Sequence, residues 1–162
     1  MKLKTIIMAM LLAALLAGFA PAEDLTQPSG MTSIALASAL RGDLRPLAWA
    51  FIRAEQEHGV NAVFLAAVAA LESGWGESTL AEGRNNLFGW TSASGYSRFP
   101  SKRACIDHVA RFIAKHYLAE DGKYYQGKSI DAVCIHYNGR PEWTEAVRGI
   151  MAGIERRAKN GR

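Results

Sequence analysis

Glu72 closes the apolar run A-V-F-L-A-A-V-A-A-L-E-S-G over residues 62–74. A carboxylate there loses water, and a helix C-terminus opposes negative charge, so both effects favour its protonated form. A glycosidic oxygen leaves poorly until it is protonated, and a partly shielded carboxylic acid at the edge of a cleft can supply that proton. The local pattern fits equally a glutamate that only bonds nearby amides or an arginine. Just beyond Glu72 the composition changes, with Gly74, Gly76, Gly83, Gly89 and Gly95, the pair Asn85-Asn86, and the rings of Trp75, Phe88, Trp90, Tyr96 and Phe99. Such rings stack on pyranose faces and such amides bond acetamido groups, so Trp75, Trp90 and Tyr96 with Asn85 and Asn86 are candidates for one wall of a sugar cleft. Phe88 reads as core, while Trp90 and Tyr96 suit core and cleft equally.

These groups need elements to hold them. The spacing predicts a helix over Met31 to Leu40 and another through Leu44, Leu47, Ala48, Phe51 and Ile52 to Glu55, stopped by Gly59. Asn61 can cap the run that carries Glu72, which is apolar around nearly its whole circumference and therefore belongs at the centre of the fold. Residues 75–100 predict turns and a short hairpin, with arms Leu87 to Thr91 and Tyr96 to Phe99. Ser101 caps a helix to Lys115 or Tyr117, Ser129 starts a shorter one to Tyr137, and Pro141 opens the last, with Trp143, Val147, Ile150 and Ile154 on one side. The expected class is α+β, mostly helical with a small β insertion. There is no internal repeat, heptad run or low-complexity linker.

The N-terminus places Lys2 and Lys4 before an apolar stretch ending in Ala20-Pro21-Ala22, the layout of a signal peptide over residues 1–22 cleaved before Glu23. An uncleaved anchor is the alternative, since Ile6 to Ala22 approaches the length of a membrane span. Residues 23–30 then read as a short leader, 31–158 as one domain and 159–162 as a frayed tail; an exported monomer, periplasmic or secreted, is expected. The segment carries two of the nineteen basic residues and no acid, so its loss lowers the formal charge of +4 by two. That small balance argues against a nucleic-acid partner. The chain has two cysteines, Cys105 and Cys134. In an oxidising compartment a disulfide between them is expected, closing a loop of about 30 residues for about 3 to 4 kcal/mol at most, with two buried thiols as the alternative. His58, His108, His116 and His136 are scattered, and no metal or organic cofactor is expected.

The sequence F-L-A-A-V-A-A-L-E-S-G-W-G-E-S-T-L at Phe64 to Leu80, followed by N-N-L-F-G-W at Asn85 to Trp90, closely resembles the bacterial glucosaminidase family of peptidoglycan hydrolases. Weaker similarity runs through Y-S-R-F-P-S at Tyr96 to Ser101, the helix of Asp107, and I-H-Y-N-G at Ile135 to Gly139. The resemblance implies a lysozyme-like fold whose helical and β lobes flank a saccharide groove, with peptidoglycan glycan strands as the partner. It implies Glu72 as the catalytic acid, Asn85, Asn86, Phe88 and Gly89 as the cleft-wall motif, and Tyr137 as an active-site tyrosine that orients water or an N-acetyl group.

One feature departs from that pattern. Inversion needs a base about 6.5 to 9.5 Å from the acid, and the resembled family often offers one in or near the β lobe, yet Gly83 through Ala104 contains neither Asp nor Glu. Glu77, Glu82 and Asp107 are the nearest candidates for a second acid. A single-acid route remains open, through the substrate's own acetamido oxygen or through attack by the muramyl C6 hydroxyl as in lytic transglycosylases. Muramidase action with the same Glu72, and a noncatalytic glycan-binding or assembly domain, are the other readings. Cleavage after N-acetylglucosamine is the expectation that the resemblance favours.

Overall fold

The computed structural model describes residues 23–161, so the expected signal peptide lies outside the described residues. The chain folds as α1 (Ser33–Ala39), a 3-10 segment (Gly42–Leu47), α2 (Ala48–His58), α3 (Ala62–Ser73), α4 (Thr79–Arg84), β1 (Thr91–Ser92), β2 (Gly95–Tyr96), α5 (Lys102–Ile113) continued by a π turn (Ala114–Leu118), α6 (Ile130–Tyr137) and α7 (Pro141–Asn160). It is the expected α+β arrangement, a helical body with one antiparallel hairpin.

The centre is α3. Asn61 Oδ1 accepts from the amides of Val63 and Phe64 at 3.0 Å each, satisfying donors that begin the helix. Residues 62–70 are all buried, which the alanines permit by letting neighbours approach closely, and α7 makes the most extensive packing against this helix. Its own Phe64 and Leu65 are fully buried, as are Phe51, Ile106, Ile113 and Ile154 from other helices. The helix stops at Gly74, whose φ of 56° suits a residue without Cβ. Trp75 follows at φ 62°, an uncommon conformation for a bulky side chain. Its amide bonds Ala70 O at 3.0 Å, and Arg41 and Arg157 both lie over its ring, so the turn that releases the chain after Glu72 is clamped.

Ser101 and Ser129 cap α5 and α6 as their positions predict, and Pro141 occupies the start of α7. Four expectations change. The helix over residues 31–40 contracts to Ser33–Ala39, where Thr32 supplies the cap. Residues 79–84 form α4, capped by Ser78, within the stretch expected to be irregular. The hairpin pairs only Thr91 with Tyr96 and Ser92 with Gly95, with one further backbone bond from Ser97 N to Trp90 O at 2.9 Å, and Asn86 and Arg84 bond the neighbouring carbonyls of Trp90, Ser97 and Tyr96. The tail expected to fray is helical through Asn160.

The expected disulfide is not formed: Cys105 and Cys134 are free and buried. Their thiols meet different backbone groups. Cys105 Sγ accepts from Leu87 N at 3.4 Å, while Cys134 Sγ donates to Arg140 O at 3.2 Å. Burial pushes the Cys105 thiol up to about 12, so it is a neutral packing group and not a nucleophile. Among the described residues no helix is long and apolar enough to cross a membrane.

Candidate active site

Glu72 stands on the last turn of α3, partly exposed where the helix leaves the core. Trp143, on the first turn of α7, donates its indole N–H to Glu72 Oε1 at 2.8 Å. Trp143 is itself buried, so its position is fixed by packing. An indole can only donate, so in the protonated acid Oε1 is held as the carbonyl oxygen and the proton resides on Oε2. No hydrogen bond engages Oε2 among the described residues.

An open groove crosses this carboxyl group. One arm, of 420 Å³, runs from Glu72 past Leu80, Phe88, Gly89, Trp90, Thr91 and Tyr96, with Tyr117, Tyr137 and Asn138 on its other side. The second arm, of 620 Å³, shares Glu72 and Asn138 and is completed by Leu71, Arg140, Glu142, Trp143 and Ala146. Both fall in the size range of ligand sites. The groove therefore opens to both sides of Glu72.

The aromatic wall is built from polar bonds. Asn86 is 1% exposed, and its Oδ1 accepts from Trp90 N at 2.8 Å while its Nδ2 donates to Trp90 O at 2.8 Å and Ser97 O at 3.0 Å. Asn85 Nδ2 donates to Phe99 O at 3.0 Å. The Asn86 amide and the Asn85 Nδ2 are thus committed to backbone, and the groove lining passes to their neighbours. Trp90 is set edge-on against Phe112 and His108, with centroids 4.8 and 5.3 Å away, and Tyr96 projects from the hairpin, 58% exposed. Phe88 is buried yet reaches the groove surface.

Tyr137 comes from the end of α6. Its ring lies 5.2 Å from that of Trp143, and its buried hydroxyl has no hydrogen-bond partner. Burial, then the charge of Glu72, pushes its ionisation well above the usual phenol range, so it stays a neutral O–H donor.

The groove thus gathers Glu72, Tyr137, Phe88, Gly89, Trp90 and Tyr96, and leaves out Trp75, which packs between Arg41 and Arg157. It also leaves out the three candidate second acids. Glu77 lies against Gly42, Glu82 is exposed on α4, and Asp107 Oδ1 accepts from His58 Nε2 at 2.8 Å beside a separate 300 Å³ hollow between α2 and α5. Glu57, His58 and Asp107 bring their ligand atoms within 4.8 Å of one another. Their grouping is accounted for by the His58–Asp107 contact and the Arg53–Glu57 ion pair at 2.7 Å. Sequence reasoning missed Trp143, Asn138 and Glu142, which line the groove with Glu72 only once the end of α6 and the start of α7 are packed in place. The aromatic at the start of a proline-opened helix was visible, but only as a core residue.

Comparison with known proteins agrees with this arrangement. The chain is 31% identical over 112 residues, 64% of its length, to a putative endo-beta-N-acetylglucosaminidase of Streptococcus pneumoniae strain TIGR4, and equally to that of strain R6. The match occupies 16% and 15% of those relatives, so the chain spans a small part of their length. Staphylococcus aureus autolysin E has the same fold. A catalytic mutant of it in complex with the disaccharide NAG-NAM superposes with a TM-score of 0.67 at 18% identity, covering 82% of this chain and 70% of that one. Its complex with the muropeptide NAM-L-Ala-D-iGlu gives 0.66 at 19%, with the same coverage. The family model for glucosaminidase, mannosyl-glycoprotein endo-beta-N-acetylglucosaminidase, matches residues 48–156, a span that takes in Glu72, both arms of the groove and Trp143, and the chain belongs to this family of glycan hydrolases.

Proposed function

We propose that the chain is an exported endo-β-N-acetylglucosaminidase that cuts peptidoglycan glycan strands, with Glu72 as general acid. The observation that carries this reading is the position of the Glu72 carboxyl group, held by Trp143 at 2.8 Å and lining both arms of one groove. The strand lies along the groove with the scissile oxygen at Oε2 of Glu72. Tyr96 and Trp90 offer ring faces to the sugars on one side, and Gly89, without a side chain, lets a bulky ring substituent approach the wall. Glu72 delivers its proton as the glycosidic bond lengthens, so the departing sugar leaves as a neutral alcohol. Tyr137 holds a neutral phenol beside Glu72, and its buried, unpartnered hydroxyl would orient a water or the N-acetyl group once substrate entry uncovers it. The similarity to the pneumococcal relatives supports cleavage after N-acetylglucosamine, and the signal-like residues 1–22 support export.

Digestion of purified peptidoglycan by the chain and by Glu72→Gln, with products resolved by mass spectrometry before and after borohydride reduction, tests this reading. A reducible N-acetylglucosamine end from the parent, and a rate lower by roughly 10²–10⁴-fold in Glu72→Gln, are expected. A reducible muramic acid end reassigns the enzyme as a muramidase, and a 1,6-anhydromuramic end as a lytic transglycosylase. Equal cleavage by Glu72→Gln removes Glu72 from the chemistry.

A further inference from the structure

We infer that Glu142 is the base that activates the hydrolytic water opposite Glu72, which makes the enzyme inverting. This rests on the hydrolase reading above. The carboxylates that line the two arms of the groove are those of Glu72 and Glu142, and both face the 620 Å³ arm. Glu142 immediately precedes Trp143, the residue whose indole holds Glu72, so the packing that fixes the acid also fixes where Glu142 stands. The two carboxylates line the same 620 Å³ arm, whose volume offers room for a water beside the sugar, as inversion requires and direct nucleophilic attack does not.

Glu142 is also equipped to accept a proton. It is exposed and, among the described residues, forms no ion pair or side-chain hydrogen bond, so both oxygens remain available. It sits on the first turn of the 20-residue α7, where the helix dipole favours negative charge, whereas Glu72 sits at the opposite pole of α3. Acid and base are thus placed at helix ends of opposite sign. The step balances: Glu142 takes a proton from water, the water oxygen bonds to the anomeric carbon, the bond to the glycosidic oxygen breaks, and Glu72 gives its proton to that oxygen. The β bond yields an α product, and both carboxyl groups are reset by exchange with solvent.

The test follows the anomer first released from a defined glycan-strand oligosaccharide by proton NMR, in the parent, Glu142→Ala and Glu72→Gln chains. The parent is expected to release the α anomer. Glu142→Ala is expected to lose roughly 10²–10⁴-fold in kcat with KM within a few-fold, and sodium azide is expected to restore turnover with an α-glycosyl azide as product. A merely structural role of Glu142 would not produce that azide adduct. Release of the β anomer by the parent, or loss in Glu142→Ala without azide rescue, overturns the inference. Cleavage abolished in Glu72→Gln but unchanged in Glu142→Ala overturns it while sparing the hydrolase reading. A parent chain that releases nothing removes both.

Discussion

Behind Glu72 the groove rests on α3, where residues 62–70 are buried in close apolar packing. Across from it, residues 85–99 bury Leu87 and Phe88 but leave 91–96 exposed. That second wall is tied down by side chains bonding to backbone: Asn86 to Trp90 and Ser97, Asn85 to Phe99, Arg84 to Tyr96 O at 2.9 Å and Arg98 to Gly83 O at 2.6 Å. Burial is cooperative and fixes the acid in the globally stable part of the fold. Directional bonds hold a thin wall that can open without unfolding the rest. On the proposed reading, the proton donor stands in the firmly packed part and the sugar-facing wall in the part held by directional bonds.

Substitutions on the two sides should therefore fail differently. Phe64→Ala empties a fully buried site on α3 and should lower the unfolding free energy by about 3–5 kcal/mol in denaturant titrations. The whole chain should lose stability together; a loss confined to residues 85–99 would contradict the division. Asn86→Ala deprives Trp90 of two partners and Ser97 of one, and should cost roughly 1–3 kcal/mol. Hydrogen exchange should accelerate over residues 87–99 while α3 amides stay protected, and KM should rise more than kcat falls.

Acid should act on the polar wall more gently. His108 packs against Trp90 and Phe99, and burial, then Arg111, holds its ionisation below the ordinary imidazole value of 6.5, with Asp107 opposing. The unfolded chain binds this proton first, so the contribution is complete above about pH 6.5 and declines as pH falls toward the lowered folded value. Tm should drop between about pH 7.5 and 5.5 in the parent and less so in His108→Gln. An equal drop in both would place the acid sensitivity elsewhere.

Much of this division could be read along the chain. The unbroken apolarity of residues 62–71 is enough to put α3 at the centre, because no helix face is left for water. Asn61, Ser101, Ser129 and Pro141 mark helix starts through local hydrogen bonding and a preset φ, and those rules need no tertiary information. Glu72 is conspicuous for the same local reason, as a charge at the end of an apolar helix. The short strands and α4 were less legible, because their limits depend on which side chains take the backbone bonds.

What the sequence by itself determined was the helical body, the small hairpin and the residue types that could form a sugar groove. Only the tertiary structure decided which of them meet. It turned Asn85 and Asn86 inward to the backbone, set Trp75 between two arginines, kept Cys105 and Cys134 apart, and brought Trp143 and Glu142 to Glu72. The physical reason is separation along the chain. Caps and periodicity act over a few residues, whereas the contact between Trp143 and Glu72 spans 71 positions and exists only because α7 packs on α3.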